Sequence, residues 1–165
     1  ADVTRFVMLT RKNDAPLDFD FAKVLEQSKD NPVFYVQYAN ARINSVLRKA
    51  RDAGIAVDDA TLQAADLAIL THEAEIAMVR KLAEWPRLVE TAALAHEPHR
   101  IAFYLGDLAA AFHSYWNLGN DRPEKRFIVE QDPELTAARL FLGSAIGQVI
   151  KGGLAVLGVE AVESM

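Results

Sequence analysis

Cysteine is absent from the 165 residues. Disulfides, thiolate metal sites and cysteine nucleophiles go with it, and the absence fits a reducing compartment. No secretory signal is expected either. Ala1–Thr10 carries Asp2 and Arg5 and has no uninterrupted apolar stretch. Alternating apolar and polar runs of strand type are essentially lacking, which excludes an ordinary sheet. One long apolar segment, residues 140–159, raises the question of a membrane span, with Lys151 near its middle as the only charge. Holding that ammonium in hydrocarbon costs roughly 3 kcal/mol. The segment therefore reads as a buried helix of a bundle, with no membrane partner.

What remains is an apolar fraction of 51% and a charged fraction of 25%, enough for one domain with a real core. Helix signals recur. Asn31-Pro32 and Asp132-Pro133-Glu134 each place a capping side chain ahead of a proline at the first helical position, and Glu97-Pro98 is a weaker version. Each opens a run with apolar residues three and four apart. From Pro32 to Ala53 the stripe is Val36, Ala39, Ile43, Val46, Leu47 and Ala50, closed by Gly54. From Pro98 to Leu118 it is Ile101, Leu105, Leu108, Phe112 and Tyr115; from Pro133 to Leu157 it includes Leu140, Ile146, Ile150 and Leu154. Helices are also expected near 2–11, 60–69, 71–84 and 86–95. The fold class is all-α, a helical bundle with antiparallel neighbours joined by short loops. The segment 13–20, with Pro16 and three aspartates, reads as a rigid acidic connector. Residues 1–30 are expected to be the remnant of a preceding domain, and 31–165 the bundle.

The net charge of −5 argues against a nucleic-acid partner when taken globally. Its distribution is polarised. Residues 31–51 hold Arg42, Arg48, Lys49 and Arg51 and no acid, whereas 58–97 hold eight acids against three bases. The acidic arm is either one pole of a functional surface or a solvated helix face.

Catalytic and metal constellations fail on spacing. His96 and His99 lie three apart around Pro98, where a zinc helix needs four with no proline between. His72-Glu73-Ala74-Glu75 reads as a charged surface patch. The stretch 147–153 has lysine and three glycines in the wrong order for a phosphate loop. Gly143 and Gly147 are better suited to letting another helix approach. No metal site and no catalytic residue is expected.

One strip points to a ligand. Tyr35, Tyr38 and Arg42 sit at offsets of three and four and share a helix face, continued by Ser45 and Lys49. Rings stack on unstacked RNA bases while cations meet phosphates. The residues alone favour the other reading, tyrosines at the core edge with wet hydroxyls. A second aromatic group, Phe112-His113-Ser114-Tyr115-Trp116-Asn117, has Phe112 and Tyr115 together and Trp116 pointing elsewhere. Core packing accounts for Phe112 better than for the adjacent Tyr, Trp and Asn, which need polar partners if buried.

Longer strings carry a resemblance. Arg5-Phe6-Val7-Met8-Leu9 and Arg11-Lys12-Asn13-Asp14-Ala15-Pro16-Leu17-Asp18-Phe19-Asp20 resemble the stretch just downstream of the second ATP-binding motif of bacterial arginyl-tRNA synthetase, a class I family, and Asp30-Asn31-Pro32-Val33-Phe34-Tyr35-Val36-Gln37-Tyr38-Ala39-Asn40-Ala41-Arg42 resembles the entry to its anticodon-binding domain. Arg139-Leu140, Gln148-Val149-Ile150, Gly153-Leu154, Leu157-Gly158-Val159 and Met165 resemble its closing helix and tail. The family's Asp-Ala-Leu-Arg signature appears as Thr136-Ala137-Ala138-Arg139. The resemblance implies a cytoplasmic, monomeric ligase that joins arginine to its tRNA. Its ATP-binding motifs, served by ATP and magnesium, would lie upstream of Ala1, leaving this part non-catalytic and without a cofactor of its own. The implied partners are the anticodon loop of arginine-accepting tRNA and the catalytic core of the same chain. The implied contacts are Tyr35, Tyr38, Arg42, Tyr115 and Met165. Arg48 joins them although its offset turns it from the Tyr38 strip; Lys49 continues that strip, and Asn117 brings an amide beside Tyr115. Two other readings stand beside this one. They are a helical protein-interaction module with an acidic arm, and the helical domain of another class I synthetase such as the cysteine enzyme.

Overall fold

The computed structural model describes residues 2–10 and 31–165, so the connector at 13–20 and the expected boundary at residue 30 lie outside the described residues. Helix α1 runs Asp2–Leu9 and α2 Pro32–Asp52. After a short α3, Asp59–Gln63, and a 3₁₀ turn at Leu67–Ile69 come α4, Glu73–Ala95, and α5, His99–Asp121. A second 3₁₀ turn, Pro123–Lys125, leads into α6, Pro133–Val156, and an irregular tail. No described residue forms a strand. The all-α class stands.

The caps explain where the long helices begin. Asn31 accepts from the backbone N–H groups of Val33 and Phe34, and Asp132 accepts from Leu135 N–H, each ahead of a proline. Such caps stabilise by roughly 1 kcal/mol each. Gly54, at φ +78°, turns the chain out of α2 in the left-handed region that a side chain would resist. The carboxyl of Asp58, held by the side chain and backbone of Thr61, lies below the ordinary carboxylate range and caps α3.

The expected stripes form the core. Val36, Ala39, Ile43 and Ala50 of α2, Leu105, Leu108 and Phe112 of α5, and Leu140, Ile146, Ile150 and Leu154 of α6 are all buried. Helix α5 packs on α2, α4 and α6, and α2 also packs along α6. Gly153 of α6 meets Leu105 so closely that an added Cβ would sit 2.7 Å from its Cδ2. Gly147 likewise faces Ile43 of α2, as the spacing suggested, but Gly143 faces the ring of Phe127 in a loop and not a helix. Phe6 brings α1 into the same core at 1% exposure.

The helix expected near 60–69 stops at Gln63, with only a 3₁₀ turn at Leu67–Ile69 beyond it. The helices expected at 71–84 and 86–95 are one helix, with Pro86 inside it. A mid-helix proline costs roughly 3 kcal/mol, but Pro86 lies on the exposed side. Tyr104 of α5 also braces the turn before it, stacking on Trp85 at 5.4 Å and donating its hydroxyl to Lys81 O at 2.7 Å. Burial and the neighbouring Glu84 push that hydroxyl up to about 12, so it stays a donor. The supposed charged surface patch at 72–75 is the start of α4. The His72 side chain accepts from the helix backbone, Glu75 reaches back to His72 N–H, and Glu75 is 1% exposed.

Candidate nucleic-acid interface

Helix α2 sends Tyr38 and Arg42 outward one turn apart, and α5 brings Trp116 against them. The Arg42 guanidinium lies 4.2 Å from the centre of the Tyr38 ring and 5.1 Å from that of Trp116. It also donates to the Tyr38 hydroxyl at 3.0 Å. These three side chains, with Ser45, Arg48 and Met165, line an open cleft of about 290 Å³. Cations on aromatic faces beside an open cleft suit flat, electron-rich rings joined to anions.

His113, one turn back on α5, orients this group. Arg42 donates to its Nδ1 at 3.0 Å, and its Nε2–H donates to Tyr35 O at 3.1 Å. An arginine only donates and a carbonyl only accepts, so the ring is neutral with its proton on Nε2. Burial, and then the Arg42 charge, hold its pKa below the ordinary histidine value despite the bond to Tyr35 O. Tyr35 and Tyr38 pack on the imidazole at 4.4 and 5.5 Å.

The tail closes the cleft from the other side. Gln37 donates to Glu160 O at 2.9 Å, Asn40 to Val162 O at 2.8 Å and Arg48 to Glu163 O at 3.2 Å. Three residues of one helix thus lay the tail along α2, with Met165, 58% exposed, at the mouth. Asp2 accepts from Glu160 N–H at 3.1 Å, and Arg5 donates to Gly158 O.

The expected site residues divide accordingly. Tyr38, Arg42, Arg48 and Met165 meet at one cleft. Arg48 is not turned away, as its offset suggested. Its side chain reaches back along the helix to the tail, which residue spacing alone does not reveal. Tyr35 is half-buried against His113, on the neighbouring turn. Lys49 lines an adjoining cleft. Tyr115 cannot be a contact, because it is 0% exposed and donates to Glu75 Oε1 at 2.6 Å inside the core. Asn117 is exposed and lines neither cleft. Sequence reasoning missed Trp116, His113 and the tail anchors Gln37 and Asn40. Adjacency of Trp116 to the polar His113 was a usable signal; the tail's path was not.

Comparison with known proteins decides the family. The family model described as the DALR anticodon binding domain matches residues 36–165. The chain belongs to the DALR anticodon-binding domain family. It is 64% identical over its full length to arginine–tRNA ligase of Ruegeria pomeroyi and 66% identical to that of Cereibacter sphaeroides, spanning 28% of each. The solved arginyl-tRNA synthetase of Thermus thermophilus matches 99% of the chain and 26% of its own, with TM-score 0.81 and 32% identity. The chain therefore spans less than a third of the relatives it matches.

As a DALR anticodon-binding domain, this chain keeps the arginine of the signature for an internal task. Arg139, 2% exposed, donates from Nε to Glu75 Oε1 at 2.7 Å and from Nη1 to Glu124 O and Arg126 O at 2.7 and 2.8 Å. Burial pushes the Glu75 carboxyl up, but Tyr115, Arg139 and His72 N–H outweigh it and leave it below its ordinary value. Burial, with the Glu75 bond, pushes the Tyr115 hydroxyl upward, so it remains the donor. One carboxylate joins α4, α5 and α6, and the guanidinium pins the loop before α6. Among the described residues no cluster fit for a metal occurs, and no helix is long and apolar enough to cross a membrane.

Proposed function

We propose that this chain reads the anticodon loop of arginine-accepting tRNA, as part of a ligase that uses ATP and magnesium elsewhere in the protein to attach arginine to that tRNA. The observation that carries the reading is the Tyr38–Arg42–Trp116 cluster at an open cleft. A base stacks on the half-buried rings that line the cleft, and its phosphates meet Arg42 and Arg48. Tyr35 supports the turn through His113 and offers a flanking ring. The backbone of the tail and Met165 cover the base from the opposite side. Lys49 extends the positive strip. Asn117 lies outside the cleft and Tyr115 beneath it, so neither is proposed as a contact. The ligase is cytoplasmic and monomeric in this reading, and residues 1–30 join the domain to its catalytic core.

Titration of arginine-accepting tRNA against the protein tests the proposal. Wild-type affinity falls as salt rises, because counterions are released from the phosphates. Tyr38→Ala costs about 1–3 kcal/mol of binding, the range for one stacked base, and Arg42→Ala weakens binding further by freeing both rings. Equal binding by wild type and both variants would sink the reading.

A further inference from the structure

Trp116 is a wall shared by two clefts. Beyond it, away from Arg42, lies a second opening of about 320 Å³, lined by Lys49 of α2, by Asn120, and by Lys125, Arg126 and Ile128 of the loop before α6. The size falls at the low end of the ~300–1,000 Å³ typical of small-ligand sites. Among the described residues, three cations and no carboxylate line it, in a chain whose net charge is −5. Lys49 and Lys125 form no ion pair with any described residue.

The loop that carries two of these cations is held in place by the core. Arg139 takes the carbonyls of Glu124 and Arg126 on either side of Lys125. Thr136 both donates to Val129 O and accepts from Val129 N–H, and Phe127 is buried. Arg126 donates its Nε to Gly119 O at 3.0 Å, across a gap where a Cβ on Gly119 would stand 3.3 Å from its side chain. A surface loop fixed at this many points presents its charges at set positions, which is the preorganisation a binding site requires.

We propose that this second cleft is a subsite for the next nucleotide of the same single-stranded RNA loop, its base against Trp116 and Ile128 and its phosphate between Lys49 and Lys125. The inference rests on the anticodon reading of the first cleft and extends it by one nucleotide. Apolar walls beside cations, continuous through Trp116 with the Tyr38–Arg42 cleft, favour a nucleotide, which joins a ring to its phosphate, over a Glu or Asp side chain, whose carboxylate carries no ring to stack.

The test uses the full-length protein and an RNA hairpin carrying the anticodon arm, with affinity followed by fluorescence anisotropy across a salt series. Lys49→Ala/Lys125→Ala weakens binding and lowers the slope of log affinity against log salt by about 0.7, the value for one phosphate on a single strand. Lys49→Arg/Lys125→Arg restores the slope. Arg51→Ala, on an exposed cation of α2 outside both clefts, leaves it unchanged. A wild-type slope in the double alanine variant overturns the subsite, as does an equal loss in Arg51→Ala. Displacement of the hairpin by polyglutamate that depends on Lys49 and Lys125 overturns it in favour of an acidic protein segment. Failure of the wild type to bind the hairpin would overturn the anticodon reading itself.

Discussion

Glu75 and Arg139 show how a charge can matter to a surface cleft it never reaches. With side chains 2% and 3% exposed, neither can lose its partner cheaply. Arg139→Met is expected to destabilise by about 3–5 kcal/mol, because it strands a buried carboxylate. Adding Glu75→Leu should not restore stability fully, since the carbonyls of Glu124 and Arg126 remain without their donor; chemical denaturation of the two variants checks this. The pH dependence follows from the lowered carboxyl. Below its ordinary value of 4.5, an unfolded Glu75 takes up a proton that the folded one refuses, so stability is full above that pH and is lost as pH falls through the folded value. His113 behaves the same way higher up. Its folded pKa lies below 6.5, so acidification past 6.5 favours the unfolded chain, which protonates first. His113→Gln can accept from Arg42 and donate to Tyr35 O without titrating, and thermal melts of that variant should lose this part of the pH profile.

At the scale of the element, two neighbouring glycines of α6 separate packing from propensity. Gly152 is exposed with nothing near its missing Cβ, whereas Gly153 faces Leu105. Gly152→Ala is expected to stabilise by about 0.5–1 kcal/mol, the helix cost of glycine. Gly153→Ala should destabilise by roughly 1–3 kcal/mol through overpacking, and paired melts read the opposite signs. Elements of this kind were largely legible in the sequence, because caps and apolar stripes are local. Asn31-Pro32 and Asp132-Pro133 placed two helix starts, and the α2, α5 and α6 stripes became the core. Pro86 misled for a tertiary reason: Tyr104, 18 residues later, braces the helix it interrupts. Glu75 misled similarly, since its partners Tyr115 and Arg139 lie 40 and 64 residues on. The Tyr38–Arg42 pair could be read because both ends sit on one helix. The second cleft could not, being assembled from α2, α5 and a loop.

Across the whole molecule, the tail and α2 make a single device whose parts are 115 to 123 residues apart. If Gln37 and Asn40 serve RNA binding only by positioning the tail, their effect must pass through Met165. Met165→Ala is then expected to weaken tRNA binding about tenfold, or ~1.4 kcal/mol. Gln37→Ala/Asn40→Ala should weaken it comparably, although neither side chain lines the Tyr38–Arg42 cleft. Loss of two hydrogen bonds costs only about 1 kcal/mol each in stability, and Leu157 and Val159, both buried, still hold the start of the tail. The decisive variant combines all three substitutions. Residues that act through one another are not additive, so the triple variant should bind tRNA no more weakly than Met165→Ala alone. Full additivity would mean that Gln37 or Asn40 touches RNA by another route, and the tail would then be a passive cover.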